Sequence, residues 1–274
     1  MKLKLKSPAK LNLFFRVLEK RADGFHEIAS LMQAISFYDI LYFECGETDR
    51  LTCSDPKIPL GKGNFIHQAC ILFREKTGYD IPLSIHLEKK VPTQGGLGGG
   101  SGNVATTLWA LKELSGLPIT EEILQSWAGE ISSDAPFFFS SGTAYSTGRG
   151  EKIETLSPLP RQTLYIAKPK GGLSTPLVYK HCTPNIYLDD PKDLLEKALS
   201  GRFIPLNDLE AAAFFLYPKL HQLKKDLLNL GFETALMTGS GTSFFCFGPV
   251  KNPILPAIQF TKVDFISRSE GSWY

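Results

Sequence analysis

The sequence predicts an α/β (α+β) chain built as two domains, on three observations. Segments that alternate charged and aliphatic residues are interleaved with segments whose apolar residues recur at helical spacing. The length, 274 residues, suits one large domain or two small ones. The turn-rich stretch Ser157-Pro158-Leu159-Pro160-Arg161 breaks both periodicities and sets a boundary, giving domains 1–157 and 158–274.

The elements follow in order. Lys2, Lys4 and Lys6 alternate with Leu3 and Leu5, which predicts an opening strand whose lysines guard a sheet edge. Residues 64–77 read as a helix, with Ile66, Ala69, Cys70 and Phe73 on one face and Gly78 as the stop. Ile81, Leu83, Ile85 and Leu87 alternate as a second strand. After Gly102, the spacing of Val104, Leu108 and Leu111 predicts a helix ending at Gly116. Thr120 caps a short helix carrying Ile123, Leu124, Trp127 and Ile131. The second half reads strand (164–167), loop, helix, helix, strand, strand, helix, strand. Its clearest helix has Pro218 at its start, a stripe of Leu220, Leu223, Leu227 and Leu230, and Gly231 as its stop. Phe244, Phe245 and Phe247 mark a buried strand. No internal repeat or low-complexity tract interrupts the order.

Composition narrows the function. Thirty Lys and Arg against 28 Asp and Glu leave a net charge of +2, which argues against a nucleic-acid binder. Hydrophobic residues at 43% and charged residues at 21% argue against disorder. The five cysteines form no C-x-x-C pair and read as ordinary thiols of a reducing compartment. No stretch reaches the ~20 apolar residues of a membrane span, and the first residues lack the apolar core of a signal peptide. The expectation is therefore a cytoplasmic enzyme, with no nucleic acid or membrane partner. The first 21 residues carry Lys2, Lys4, Lys6, Lys10, Arg16, Lys20 and Arg21 against Glu19 alone, a bias that suits phosphate-bearing ligands.

The sharpest feature lies at Pro92-Thr93-Gln94-Gly95-Gly96-Leu97-Gly98-Gly99-Gly100-Ser101-Gly102-Asn103. Six of the chain's 24 glycines fall here, between a predicted strand and a predicted helix. Glycine lets backbone N–H groups approach an anion, and a helix start adds unpaired donors and a positive dipole end. The pattern is a phosphate cradle. It is not a Walker A loop, because no Lys-Ser or Lys-Thr follows the last glycine.

This loop resembles the second motif of the GHMP kinases, the superfamily of galactokinase, homoserine kinase, mevalonate kinase and phosphomevalonate kinase. Four further segments carry the resemblance, the first three to one branch whose substrate is a cytidine-diphosphate-linked alcohol and the last to the superfamily's third motif. They are Ser7-Pro8-Ala9-Lys10-Leu11-Asn12-Leu13, Arg21-Ala22-Asp23-Gly24-Phe25-His26, Ser133-Asp134-Ala135-Pro136-Phe137-Phe138 and Thr238-Gly239-Ser240-Gly241. The matches run in order from residue 7 to 241. Gly102 stands where the family often has Ser, which removes a hydroxyl that would face phosphate or Mg²⁺. Ala135 replaces the usual Val.

The resemblance implies a two-domain GHMP kinase fold, with a first domain like domain 2 of ribosomal protein S5 and a ferredoxin-like second domain. It implies ATP and Mg²⁺ as cofactors, and a monomer or weak homodimer. Phosphoryl transfer to an alcohol needs aligned reactants, compensated phosphate charge and a destination for the hydroxyl proton. Asp134 is the implied base and Lys10 the implied cation beside it. Pro92, Gly95, Gly96, Leu97, Gly98, Gly99, Gly100, Ser101 and Gly102 would hold the ATP phosphates, with Ser101 as the candidate metal ligand. Asn64 and Lys89 would flank adenine, although helix capping explains Asn64 equally well. Phe25 would stack on cytosine, His26 would hydrogen-bond it, and Tyr179 would close its other face. Asn12, Thr175, Gly239 and Ser240 complete the implied substrate set. Asn207-Asp208-Leu209-Glu210 reads as helix capping. The rivals are another GHMP kinase, for homoserine or mevalonate, and a nucleotide-binding regulator without catalysis.

Overall fold

The computed structural model describes residues 2–184 and 190–274. Its spine is a long antiparallel hairpin, β1 (Lys2–Lys20) and β2 (His26–Cys45). Only the first residues of β1 alternate. From Ser7 to Val17 every residue is buried. A strand covered on both faces loses the period of two, so its length was not legible in the alternation of Leu3 and Leu5. The same cover hides β2.

β3 (Arg50–Cys53), β4 (Leu83–Glu88), β5 (Thr143–Gly148) and β6 (Lys152–Thr155) extend this sheet. The helices between them are α1 (Phe65–Thr77), α2 (Gly99–Ser115) and α3 (Glu121–Ile131). Gly78 and Gly116 end α1 and α2 in the left-handed conformation, with φ of 70° and 65°. The second helix starts at Gly99, earlier than its apolar spacing predicts. Its first turn is glycine for lack of room. A Cβ on Gly99 would lie 2.9 Å from Val91 Cγ1, and one on Gly102 would lie 2.7 Å from the Pro8 carbonyl. Gly102 thus packs against β1, and a serine hydroxyl has no space there.

The second half contributes β7 (Thr163–Pro169), α4 (Thr175–His181), α5 (Pro191–Leu199) and β8 (Leu206–Asn207). Then come α6 (Leu209–Leu216), α7 (Lys219–Asn229), β9 (Thr234–Met237), β10 (Phe244–Phe247) and β11 (Ile258–Asp264). The order departs from expectation: two helices, not a second strand, follow β8. Strands β11, β7, β10 and β9 form a four-stranded antiparallel sheet.

Three connections bind the halves. β8 pairs in parallel with β1 at Phe14 and Phe15 and completes the seven-stranded sheet. One apolar cluster joins Leu11, Leu31, Val91 and Leu97 to Ile166, Leu236 and Phe245. The last residues return to the first sheet, where Trp273 stacks on Trp109 of α2 at 5.2 Å and donates from Nε1 to the Lys6 carbonyl. Arg268 lies against both rings and pairs with Glu121. No helix among the described residues is long and apolar enough to cross a membrane.

Candidate active site

The halves meet around a cavity of about 1070 Å³. Its walls come from the β1–β2 turn, the glycine loop, the start of α2, residues 132–134, residues 149–150, α4 and the turn at 239–241.

The glycine-loop end is tightly built. Gly96 and Gly98 have φ of 75° and 66°. Lys10 N donates to the Leu97 carbonyl at 2.9 Å, and Ser243 N donates to the Gly95 carbonyl at 3.1 Å. A Cβ on Gly96 would collide with the Thr238 carbonyl, so only glycine lets the loop lie on the 238–241 turn. Lys168 braces the other side. It donates to the Pro169 carbonyl at 2.9 Å, to Thr242 Oγ1 at 2.8 Å and to the Gly171 carbonyl, and burial lowers its ammonium below the ordinary lysine range. Gly98 leads into α2, whose first intrahelical bond runs from Gly102 N to the Gly98 carbonyl. The preceding amides have no partner within the helix and open toward the cavity.

Lys10 and Asp134 meet beside this loop. Lys10 Nζ lies 3.2 Å from Asp134 Oδ2, with the lysine buried and the carboxylate one-third exposed. Asn12 Oδ1 accepts from Lys10 Nζ at 2.6 Å and fixes its direction. Asp134 is set by local chain chemistry. Helix α3 stops at Ser132, Ala135 N donates back to the Ser132 carbonyl, and Pro136 starts a 3₁₀ turn, Ala135–Phe139, whose residues are all buried. The apolar anchor leaves the carboxylate at the cavity wall. Ser101 Oγ and Ser132 Oγ share a hydrogen bond of 2.8 Å at the helix start.

The opposite end is aromatic. Phe25 stands in the β1–β2 turn, 52% exposed, with the Arg149 guanidinium 4.9 Å from its ring centre. Asp23 Oδ1 accepts from Phe25 N at 3.0 Å, and Gly24 has φ of 85°. His26 and Tyr179 lie ring to ring at 5.2 Å. Burial, and then the charge on Lys20, lower the His26 pKa below 6.5, which favours the neutral ring. Burial raises the Tyr179 hydroxyl well above its usual range, with Asp134 adding to the shift. Thr175 Oγ1 and Ser240 Oγ bond at 2.8 Å across the gap between α4 and the 239–241 turn.

Several expected residues have other contacts. Asn12 is fully buried behind Lys10, bonded also to Ser30, and does not reach the cavity wall. Asn64 lines the cavity, but its Oδ1 caps Ile66 N and its Nδ2 donates to the Pro59 carbonyl. Lys89 Nζ pairs with Asp39 at 2.7 Å. Of the seven cations in the first 21 residues, Lys10 and Lys20 line the cavity. Arg16 is buried against Asp208 at 2.9 Å, and Arg21 binds Asp23 and Glu27. That pairing also gives Asp208 a tertiary role beyond capping.

Arg149 was missed by the sequence reading. Its one signal is a charge inside the turn Gly148-Arg149-Gly150. Lys168 gave no signal, because a lysine at a strand end is ordinarily solvated.

A glycine loop at a helix start, with a Lys–Asp pair beside it in the cleft between the halves, fits a small-molecule kinase of the GHMP type. The family model described as GHMP kinases N terminal domain matches residues 64–142. A solved homoserine kinase from Cytophaga hutchinsonii shares the fold at a TM-score of 0.74 and 17% identity, over 97% of this chain and 95% of that one. More specific is the 4-diphosphocytidyl-2-C-methyl-D-erythritol kinase of Protochlamydia amoebophila, 50% identical over 99% of this chain and 93% of the relative. A crystal structure of 4-(cytidine 5'-diphospho)-2C-methyl-D-erythritol kinase superposes at a TM-score of 0.77, with 33% identity over 90% of both chains. The chain belongs to the 4-diphosphocytidyl-2-C-methyl-D-erythritol kinase family.

Proposed function

We propose that this chain transfers the γ-phosphoryl group of ATP to the 2-hydroxyl of 4-diphosphocytidyl-2-C-methyl-D-erythritol, a step of non-mevalonate isoprenoid precursor synthesis. The observation that carries the reading is one cleft with the Lys10–Asp134 pair near its phosphate loop and an aromatic cluster at its other end. ATP phosphates take the amides of residues 95–101. Cytosine takes the Phe25, His26 and Tyr179 end, where a neutral His26 offers both a donor and an acceptor.

In the reaction, Asp134 accepts the proton of the substrate hydroxyl while that oxygen attacks the γ-phosphorus, and ADP leaves. Lys10 lies close enough to offset the negative charge that develops on the attacking oxygen. Asn12 keeps the ammonium aimed at that point.

Among the described residues, no three His, Cys, Asp or Glu side chains converge to hold a metal. The Ser101 and Ser132 hydroxyls at the helix start are oxygen donors that would suit Mg²⁺ brought by the nucleotide. Ser101 is its proposed protein contact, and the ion supplies charge neutralisation on the transferred group. We place the reaction in the cytoplasm, in keeping with the free thiols.

A coupled ADP-release assay tests the reading. Turnover is expected with the cytidine diphosphate substrate and none with homoserine or mevalonate. Turnover of either rival alone would reassign the enzyme, and turnover of none would favour a regulator.

A further inference from the structure

Outside the Lys–Asp pair, one carboxylate near the loop is fully enclosed. Asp39 lies on β2, 0% exposed. Its Oδ1 accepts from the backbone N–H groups of Lys90 and Val91, each at 2.7 Å. Its Oδ2 accepts from Lys89 Nζ at 2.7 Å and Asn103 Nδ2 at 3.2 Å. Lys89 Nζ also bonds the Val91 carbonyl.

These partners flank the glycine loop. Residues 89–91 form the chain just before it, and Asn103 lies in α2 just after it. One buried anion therefore ties both ends of the segment 92–98. Sheet, incoming strand end and helix are held by a charge that cannot turn away to water. The two ends also pack closely, since a Cβ on Gly99 would lie 2.9 Å from Val91 Cγ1.

We propose that Asp39 is a positioning residue for ATP: it holds the two ends of the phosphate loop at a fixed separation, with Lys89 as its counter-charge. Lys89 then serves the nucleotide chiefly through this clamp, its ammonium being spent on Asp39 and Val91. The inference rests on the assignment of the loop as the ATP phosphate site.

Asp39→Asn keeps the size and turns one acceptor into a donor facing Lys89 and Asn103. Misplacing a reactant by about 1 Å costs on the order of 10²-fold. The expected result is therefore a fall of about that size in kcat/KM for ATP, carried by KM, with KM for the cytidine substrate within about two-fold of wild type. An unchanged ATP KM in the folded variant, or an equal rise in both KM values, overturns the proposal. Lys89→Met serves where Asp39→Asn does not fold, with the same two outcomes.

Hydrogen exchange of the ligand-free protein gives a second readout. Amides at 93–98 should exchange faster in either variant while the 238–243 turn keeps its protection. Equal protection of the loop in variant and wild type overturns the clamp. If the wild-type enzyme phosphorylates no offered alcohol, the proposed function fails while the exchange data still decide the clamp.

Discussion

The two ends of the cleft are built on different principles. At the glycine-loop end, Lys10 and Asn12 are buried and bonded from several sides, the loop is hydrogen-bonded to Lys10 and Ser243, and Asp134 is anchored by an apolar 3₁₀ turn. At the aromatic end, Phe25 is half exposed on a hairpin turn and meets Arg149 ring to guanidinium. Chemistry tolerates little displacement, so its groups are fixed before substrate arrives. A base is recognised by a broad stacking surface, which tolerates a more open wall and gives the substrate a way in.

The contrast is broken or sharpened by substitutions at each end. The largest effect is expected for Asp134→Ala, which should lower kcat by roughly 10²–10⁴ while nucleotide binding stays near wild type. Single-turnover kinetics and ATP titration separate the two, and an unchanged kcat would remove Asp134 from the chemistry. Gly96→Ala places a Cβ on the Thr238 carbonyl at a φ of 75°. It should lower kcat/KM for ATP by about 10²-fold and reduce the melting temperature. Full activity would mean that the loop and the 238–241 turn are free to part.

Phe25→Ala should act on the other end alone. Loss of one stacked face, ~1–3 kcal/mol, corresponds to a rise of about 5–150-fold in KM for the cytidine substrate. An effect confined to ATP would show that the two ends have been exchanged. The smallest effect is the pH response of His26. Its folded pKa lies below the unfolded 6.5, so its stabilising contribution is present above 6.5 and is lost as pH falls through the folded value. KM for the cytidine substrate should therefore be flat above neutrality and rise in mild acid. His26→Gln should abolish that rise without altering the ATP profile.

Legibility followed the same division. The glycine loop, Lys10 and Asp134 stood in contiguous motifs whose residue types are restricted by backbone geometry or charge, and they could be read along the chain. The β1–β2 spine could not, because Ser7 to Val17 is covered on both faces and carries no alternation. Arg149, Lys168 and Asp39 were equally hidden, since each acquires its partners from distant segments: Phe25 for Arg149, Thr242 for Lys168, Lys89 and Asn103 for Asp39.

The sequence by itself determined the class of chemistry. A run of glycines before a helix has a local physical reason as a phosphate cradle, and the resemblance of the surrounding motifs to a kinase family assigned Lys10 and Asp134 their roles. Only the tertiary structure decided which charges face the cavity. The basic first 21 residues suggested a broad cationic surface, but Arg16 is spent on Asp208, Arg21 on Asp23 and Glu27, and Lys2 on Glu44. A charge is defined by its neighbours in space, and those neighbours are chosen by sheet pairing and core packing rather than by position along the chain.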